Sequence, residues 1–466
     1  MNAFSIALLF AGAARCALSA ETLLHADQWP SWRGPMANGT SATARPPVEW
    51  AEDRNVRWKV ALPGKGSSTP IVWGQQVFIL TAVPDGSAAP QADAGKDEGA
   101  AQGGGQPEGP GRPRGRRGGR DPGRGGGGMT ESPGVAQRFV VRCLDRATGK
   151  TTWEHTAATA LPHEGHHKDH GYASASPVTD GEVLVASFGS RGIHGYDMKG
   201  RPLWRRDLGR MQTRNGFGEG SSPALTGNTV IVLWDHEGED FIVALDKRDG
   251  RELWRQKRDE PTGWCTPMVV EHGGRRQVVV NGTNKARGYD VETGELLWEA
   301  GGQTVNAIPS AVAGHGRVYV TSGYRGAALQ AIQLGRKGDL TGTDAIAWSH
   351  GKGTPYVPSP LLAGDWLYLY SGNSGIVSVF DARDGKVSVD MMRVEGLGGV
   401  YASPVAADGR VYLVGRDGTT VVAKTGPTLD VLARNRLDDG FDASPALVGT
   451  EVFLRGRTSL YCIGTR

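Results

Sequence analysis

The residues best equipped for chemistry lie in one short run, His163-Glu164-Gly165-His166-His167-Lys168-Asp169-His170. Neutral imidazoles bind zinc and copper, and a carboxylate among them can complete a ligand set. The run contains His-Glu-x-x-His from His163 to His167. In zinc proteases that pattern works because a helix puts both imidazoles on one face, with the Glu beside the metal-bound water. Here Pro162 precedes the motif and Gly165 interrupts it, so no helix is expected. The reading is a loop that binds zinc or copper weakly at most, through His163 and His167 or through His166 and His170. The competing reading is an exposed polar loop whose histidines hydrogen-bond to neighbours or water.

A second set of candidates comes from a repeat. A Pro, usually after a hydroxyl residue, recurs as Thr69-Pro70, Ser176-Pro177, Ser222-Pro223, Thr266-Pro267, Ser359-Pro360, Ser403-Pro404 and Ser444-Pro445, and Pro309 fills the slot after Ile308. From the second anchor onward the spacing is 41 to 51 residues. That length holds four short strands with their turns, which is one propeller blade. β-Branched runs such as Val183 to Ala186, Val230 to Leu233 and Val318 to Val320 favour strands over helices. Third strands end in Asp and lead to Gly, as in Asp145 to Gly149, Asp246 to Gly250, Asp290 to Gly294 and Asp381 to Gly385. There the carboxylate accepts backbone N–H groups and Gly takes a positive φ. Trp153, Trp204, Trp254 and Trp298 follow such turns, where a large flat side chain can wedge between blades. The fold expected is all-β: an eight-bladed β-propeller of four-stranded antiparallel blades. Its last unit stops after Tyr461-Cys462-Ile463 without a fourth strand, whereas Arg57-Trp58-Lys59-Val60 reads as a fourth strand without its first three. Pairing the two removes a pair of open sheet edges.

In this architecture the innermost strand starts at each Pro, so the residues just before it rim the axis. Three positions earlier stand Ser67, Ser174, Gly220, Trp264, Asn306, Val357, Tyr401 and Asp442, a column without common character. Trp264, Asn306, Tyr401 and Asp442, with Glu219 and Arg214 on a neighbouring crossover, are the candidates for an axis mouth. An aromatic wall with a few oriented polar groups is the usual make-up of a ligand site. The His run falls in the connection between blades 1 and 2, on the same end.

The 466 residues include 70 Gly and 26 Pro, which suits a chain of many tight turns. A formal charge of +3 points to no polyanionic partner, and nucleic acid is not expected to be one. Residues 1–20 read as an export signal: Ile6 to Ala14 is apolar but too short to span a bilayer. A lead-in covers 21–56 and the propeller 57–466. Residues 84–134 interrupt blade 1 between its second and third strands; nearly free of large apolar side chains, they are expected to be disordered. After the signal, Cys143, Cys265 and Cys462 remain. A small-residue column in the third strands holds Cys143 and Cys462, and closure would set those two blades side by side, which leaves a disulfide open.

The punctuation resembles the pyrroloquinoline-quinone (PQQ) repeat family over residues 57–466, and Trp29-Pro-Ser-Trp32-Arg33-Gly34-Pro35 resembles the lead-in of exported propellers of that kind. The family includes quinoprotein alcohol dehydrogenases and the propeller lipoprotein of the bacterial outer-membrane barrel-assembly machinery. The resemblance therefore implies two functions. One is a non-catalytic binding or assembly scaffold in the cell envelope, soluble and monomeric, gripping an envelope protein or a glycan. The other is a dehydrogenase of alcohols or sugars with PQQ and calcium at the axis, where Glu219, Asn306 and Asp442 would supply oxygens and Trp264 an aromatic floor. The absence of a cytochrome motif or an added catalytic domain favours the scaffold.

Overall fold

The computed structural model describes residues 27–86, 130–131 and 134–465. The expected export signal and most of the expected insert lie outside the described residues. Eight antiparallel sheets surround one axis as an eight-bladed propeller, and no α-helix occurs among the described residues. The innermost strands are Ile71–Trp73, Val178–Thr179, Ala224–Thr226, Met268–His272, Val312–Gly314, Leu361–Ala363, Val405–Ala407 and Ala446–Val448. In every blade but the fifth the strand begins immediately after its Pro.

The hydroxyl residues before those prolines form a ring. Thr69 N donates to Ser176 Oγ (2.8 Å), Ser176 N to Ser222 Oγ (2.8 Å), Ser222 N to Thr266 Oγ1 (3.2 Å) and Thr266 N to Ser310 Oγ (2.7 Å). Ser310 N, Ser359 N and Ser403 N continue to Ser359, Ser403 and Ser444 Oγ at 2.9, 2.9 and 3.0 Å. Thr69 Oγ1 closes the belt on the Ser444 carbonyl at 3.1 Å. Each hydroxyl except that of Thr69 thus satisfies a buried amide of the preceding blade, which would otherwise be a costly orphan. Blade 5 departs from the sequence register. Its belt hydroxyl is Ser310, not a residue before Pro309, so the anchor lies two residues later than the Pro spacing indicates. Asn306 is consequently not the counterpart of Trp264 or Tyr401; Ile308 is.

The tryptophans lock neighbouring blades. Trp58, Trp153, Trp204, Trp254 and Trp348 donate Nε1–H to the carbonyls of Arg146 (2.9 Å), Met198 (3.3 Å), Lys247 (2.7 Å), Val291 (2.8 Å) and Ala382 (3.3 Å) on the next blade. Each ring covers the turn glycine there: Gly149, Gly200, Gly250, Gly294 or Gly385, where a Cβ would come within 2.6–2.8 Å of the indole. Trp298 differs, donating within its own blade to Gln277 Oε1 (2.7 Å). The small-residue column has the same cause. Cys143, Gly195, Ala244, Gly288, Ala331 and Cys462 sit directly across the strand pair from Trp153, Trp204, Trp254, Trp298, Trp348 and Trp58. Only a small side chain leaves room for the ring. Cys143, Cys265 and Cys462 are buried free thiols.

Closure follows the expected route. Val56–Ala61 pairs antiparallel with Ser459–Gly464 and completes blade 8. Glu451 carries the seam's charge, with Arg57 on one oxygen and Arg146 Nε 2.6 Å from the other. The lead-in enters the axis from the end opposite the crossovers. Trp29 bridges to Val72, and Thr40–Ser41 runs parallel to the inner strand of blade 7. Between them the buried Arg33 guanidinium donates to the carbonyls of Pro404 (2.9 Å), Pro360 (2.7 Å) and Asn38 (3.1 Å).

Buried histidines make stability pH-dependent, and His194 contributes alongside His170 with the same sign. His194, on the third strand of blade 2, is 5% exposed, and desolvation lowers its pKa to about 4. The folded state therefore holds it neutral, while the unfolded chain takes up a proton near pH 6.5. Stability is complete above that value and is lost as pH falls toward 4; by pH 5 the loss from this group is about 2 kcal/mol. Urea unfolding at pH 7 and pH 5 is expected to show this difference, and His194→Gln to reduce it by that amount. An unchanged pH dependence in the variant would refute the assignment.

Candidate functional site

Crossovers between blades and the turns joining second to third strands share one end of the propeller. Blade 1 presents the insert there, of which Thr130–Glu131 pairs antiparallel with His166–His167. The His run thus lies in an extended loop, and its His-Glu-x-x-His register is not helical.

Among the described residues, one group of three or more His, Cys, Asp or Glu brings ligand atoms within 4.8 Å of one another: His163, Glu164 and Glu219. His163 Nε2 lies 2.6 Å from the Met211 carbonyl and 4.0 Å from Glu219 Oε1. Glu164 accepts from Thr213 N (3.1 Å to Oε2) and Thr213 Oγ1 (2.5 Å). Glu219 accepts from Ser190 N (2.7 Å) and Ser190 Oγ (2.5 Å). Desolvation raises the Glu219 pKa, although the Ser190 donors oppose it. A cavity of about 50 Å³ adjoins all three side chains.

The other histidines face elsewhere. His166 stands edge-on to Tyr172 with ring centroids 4.6 Å apart, and His167 edge-on to Phe217 at 5.4 Å. His170 is wedged beside Gly218 and Gly220, where desolvation lowers its pKa to about 4. The cluster therefore joins His163 to two carboxylates rather than to His167. His-Glu adjacency was visible in the sequence; Glu219, brought from the next crossover, and the orienting Ser190 and Thr213 were not.

The axis-mouth candidates do not converge on one site. On one side, Trp264 Nε1 donates to Gly218 O (2.7 Å) and its ring, like that of His170, lies beside Gly220. On the other, Tyr401 lies under the Arg416 guanidinium, 3.9 Å from ring centroid to Cζ. Arg416 bonds Asp442 Oδ1 (2.5 Å) and Asp169 Oδ1 (3.2 Å), and Tyr401 OH donates to Asp169 Oδ2 (3.3 Å). The loop holding the His run thereby reaches residues of blade 7 and its flanking crossovers. Arg416, on the turn joining the second and third strands of blade 7, gave no signal in the anchor column. Asn306 is buried with φ 56° and meets the Tyr356 hydroxyl, and Arg214 starts a short 3₁₀ turn near that tyrosine. A larger cavity, about 700 Å³, lies between Trp32, Met36 and the inner strands of blades 2 to 5, and none of these candidates lines it.

A quinone held by calcium would need six to eight converging oxygens. Asp442 already has Arg416 on Oδ1 and Arg457 Nε 3.0 Å from Oδ2. Two guanidinium groups occupy the side where a cation would have to sit. Glu219 groups with His163 and Glu164 rather than with Asp442, and Asn306 meets Tyr356. The residues the resemblance offered for calcium do not fit it.

Comparison with known proteins agrees with the fold. Residues 137–390 match the family model described as outer membrane protein assembly factor BamB. A protein of that name from Shewanella oneidensis is 22% identical over 269 residues, 54% of this chain and 61% of the relative. The chain thus spans less than two thirds of that relative's length. BamB from Moraxella catarrhalis superposes with a TM-score of 0.51 at 15% identity, over 72% of this chain and 95% of that one. Quinohemoprotein alcohol dehydrogenase from Comamonas testosteroni superposes with a TM-score of 0.59 at 11% identity, over 94% and 81%. At such identities these likenesses speak for the propeller and not for an activity. The matched stretch, together with the belt, the tryptophan locks and the strand closure, places the chain in the BamB-like family of PQQ-repeat propellers.

Proposed function

We propose that this chain is a non-catalytic scaffold of the bacterial cell envelope that grips a protein partner through its crossover face. The observation that carries the reading is the Asp169–Arg416–Tyr401–Asp442 network at the mouth. It places an aromatic ring and a guanidinium at a half-open rim while neutralising the carboxylate a cofactor cation would need. Tyr, Trp and Arg at such a rim are the residue types that dominate binding energy at protein interfaces. The description of the family as an outer membrane protein assembly factor supports a partner in outer-membrane protein assembly. Export and residence in the envelope belong to the same reading, as does a glycan as the other class of partner. Among the described residues no helix is long and apolar enough to cross a membrane.

The test is co-purification of assembly components with the tagged full chain. Tyr401→Ala or Trp264→Ala is expected to weaken capture roughly 30-fold, the effect of losing about 2 kcal/mol at a hot spot. Retained capture in both variants would remove the crossover mouth as the contact. Saturable PQQ binding with dye-linked alcohol oxidation would overturn the scaffold in favour of the dehydrogenase.

A further inference from the structure

We propose that His163, Glu164 and Glu219 form a divalent-cation site of the zinc class, closing the crossover between blades 1 and 2 onto the one between blades 2 and 3. The site is independent of the partner surface at Tyr401 and Arg416. The ligand atoms come from two crossovers and lie within 4.8 Å of one another. Tetrahedral zinc, with bonds of about 2.0–2.2 Å, needs ligand separations of roughly 3.4 Å. Rotation of the exposed His163 ring, exchanging its contact with the Met211 carbonyl for the ion, closes that gap. One imidazole with two carboxylates is a ligand set for zinc or manganese; calcium would require more oxygens.

Three observations show that the surroundings are built for the cluster. First, each carboxylate has its own orienting partners: the Thr213 amide and hydroxyl for Glu164, and the Ser190 amide and hydroxyl for Glu219. Ser190 Oγ is itself fixed, accepting from Met211 N at 2.8 Å. Such outer partners are what holds metal ligands in register. Second, the Glu219 carboxylate fits only because residue 189 is glycine: a Cβ there would stand 1.5 Å from Glu219 Oε2. Third, neither carboxylate has an ion pair with Lys or Arg among the described residues, and the cavity beside them, about 50 Å³, admits an ion with a water. Arg191 lines the same cavity and acts on Glu219 without pairing with it, so a divalent ion would complete the charge balance of the cluster.

The experiment uses the full chain, freed of metal on a chelating resin and titrated calorimetrically with ZnCl₂ and MnCl₂. One ion per chain is expected. His163→Gln and Glu219→Gln should each weaken binding at least tenfold. Ser190→Ala, which touches no ion, should weaken it about 10–100-fold, the effect of losing an outer partner. His167→Ala should leave it unchanged. Circular dichroism of the metal-free variants checks that they fold. If they do not, X-ray absorption of zinc-loaded wild-type protein decides: one imidazole among nitrogen and oxygen ligands supports the site, and two or more imidazoles overturn it. Absence of heat with both metals, or loss of binding in His167→Ala but not in His163→Gln, overturns it as well.

Discussion

Trp58→Ala is expected to lower the unfolding free energy by about 3–5 kcal/mol, the range for truncating a buried tryptophan. The ring is 9% exposed and lies at the seam where the termini meet. It faces Cys462 across the strand pair, packs over Gly149 of blade 1 and donates to the Arg146 carbonyl. Alanine would leave a cavity between blades 8 and 1 and strand that carbonyl, at the one place where the ring is closed by pairing distant segments rather than by chain connection. Removing residues before Gly64 should be worse, because it deletes the fourth strand of blade 8 and leaves Ser459–Gly464 as an open edge. Chemical unfolding followed by tryptophan fluorescence and by circular dichroism measures both effects. A change below about 1 kcal/mol in Trp58→Ala would mean that the seam contributes far less than cavity energetics imply.

Arg258→Met should be of similar size, about 3–5 kcal/mol, for an electrostatic reason. Arg258 and Asp235 are 0% and 1% exposed and bond through two parallel contacts, Nε to Oδ1 at 2.7 Å and Nη2 to Oδ2 at 3.0 Å. Nη1 donates to the Tyr289 hydroxyl at 2.7 Å. Burial pushes the Asp235 carboxyl up to about 6 even with the guanidinium in place. Without Arg258 that carboxyl must protonate or remain a buried charge beside Glu260 and Asp240, both of which also disfavour its ionisation. Adding Asp235→Asn to Arg258→Met should therefore restore part of the loss, because it removes the stranded charge. Equal stability of the single and double variants would show that lost packing, not an unpaired carboxylate, accounts for the effect. Both measurements belong at pH 7, above the window in which His194 titrates.

The division between what was legible in the chain and what was not follows distance along it. Blade number, the four-strand unit, the closing strand and the wedging tryptophans come from local patterns that recur, and local sterics and hydrogen bonding act alike at each recurrence. A hydroxyl before Pro marks the belt because each belt bond repeats the same geometry. Where the pattern was broken, at Ile308-Pro309, spacing alone misplaced the anchor, and the bond from Thr266 N to Ser310 Oγ set it right. The candidate sites were only half legible. His163 and Glu164 are neighbours in sequence, but Glu219, Ser190 and Thr213 arrive through different turns and crossovers. Likewise, nothing local to Asp169 announces Arg416, which is brought to it only because eight inner strands converge on one axis. Ligand types were therefore determined by the sequence by itself. Which of them meet was decided by the tertiary structure, since a propeller juxtaposes loops by their place around the ring and not by their order in the chain.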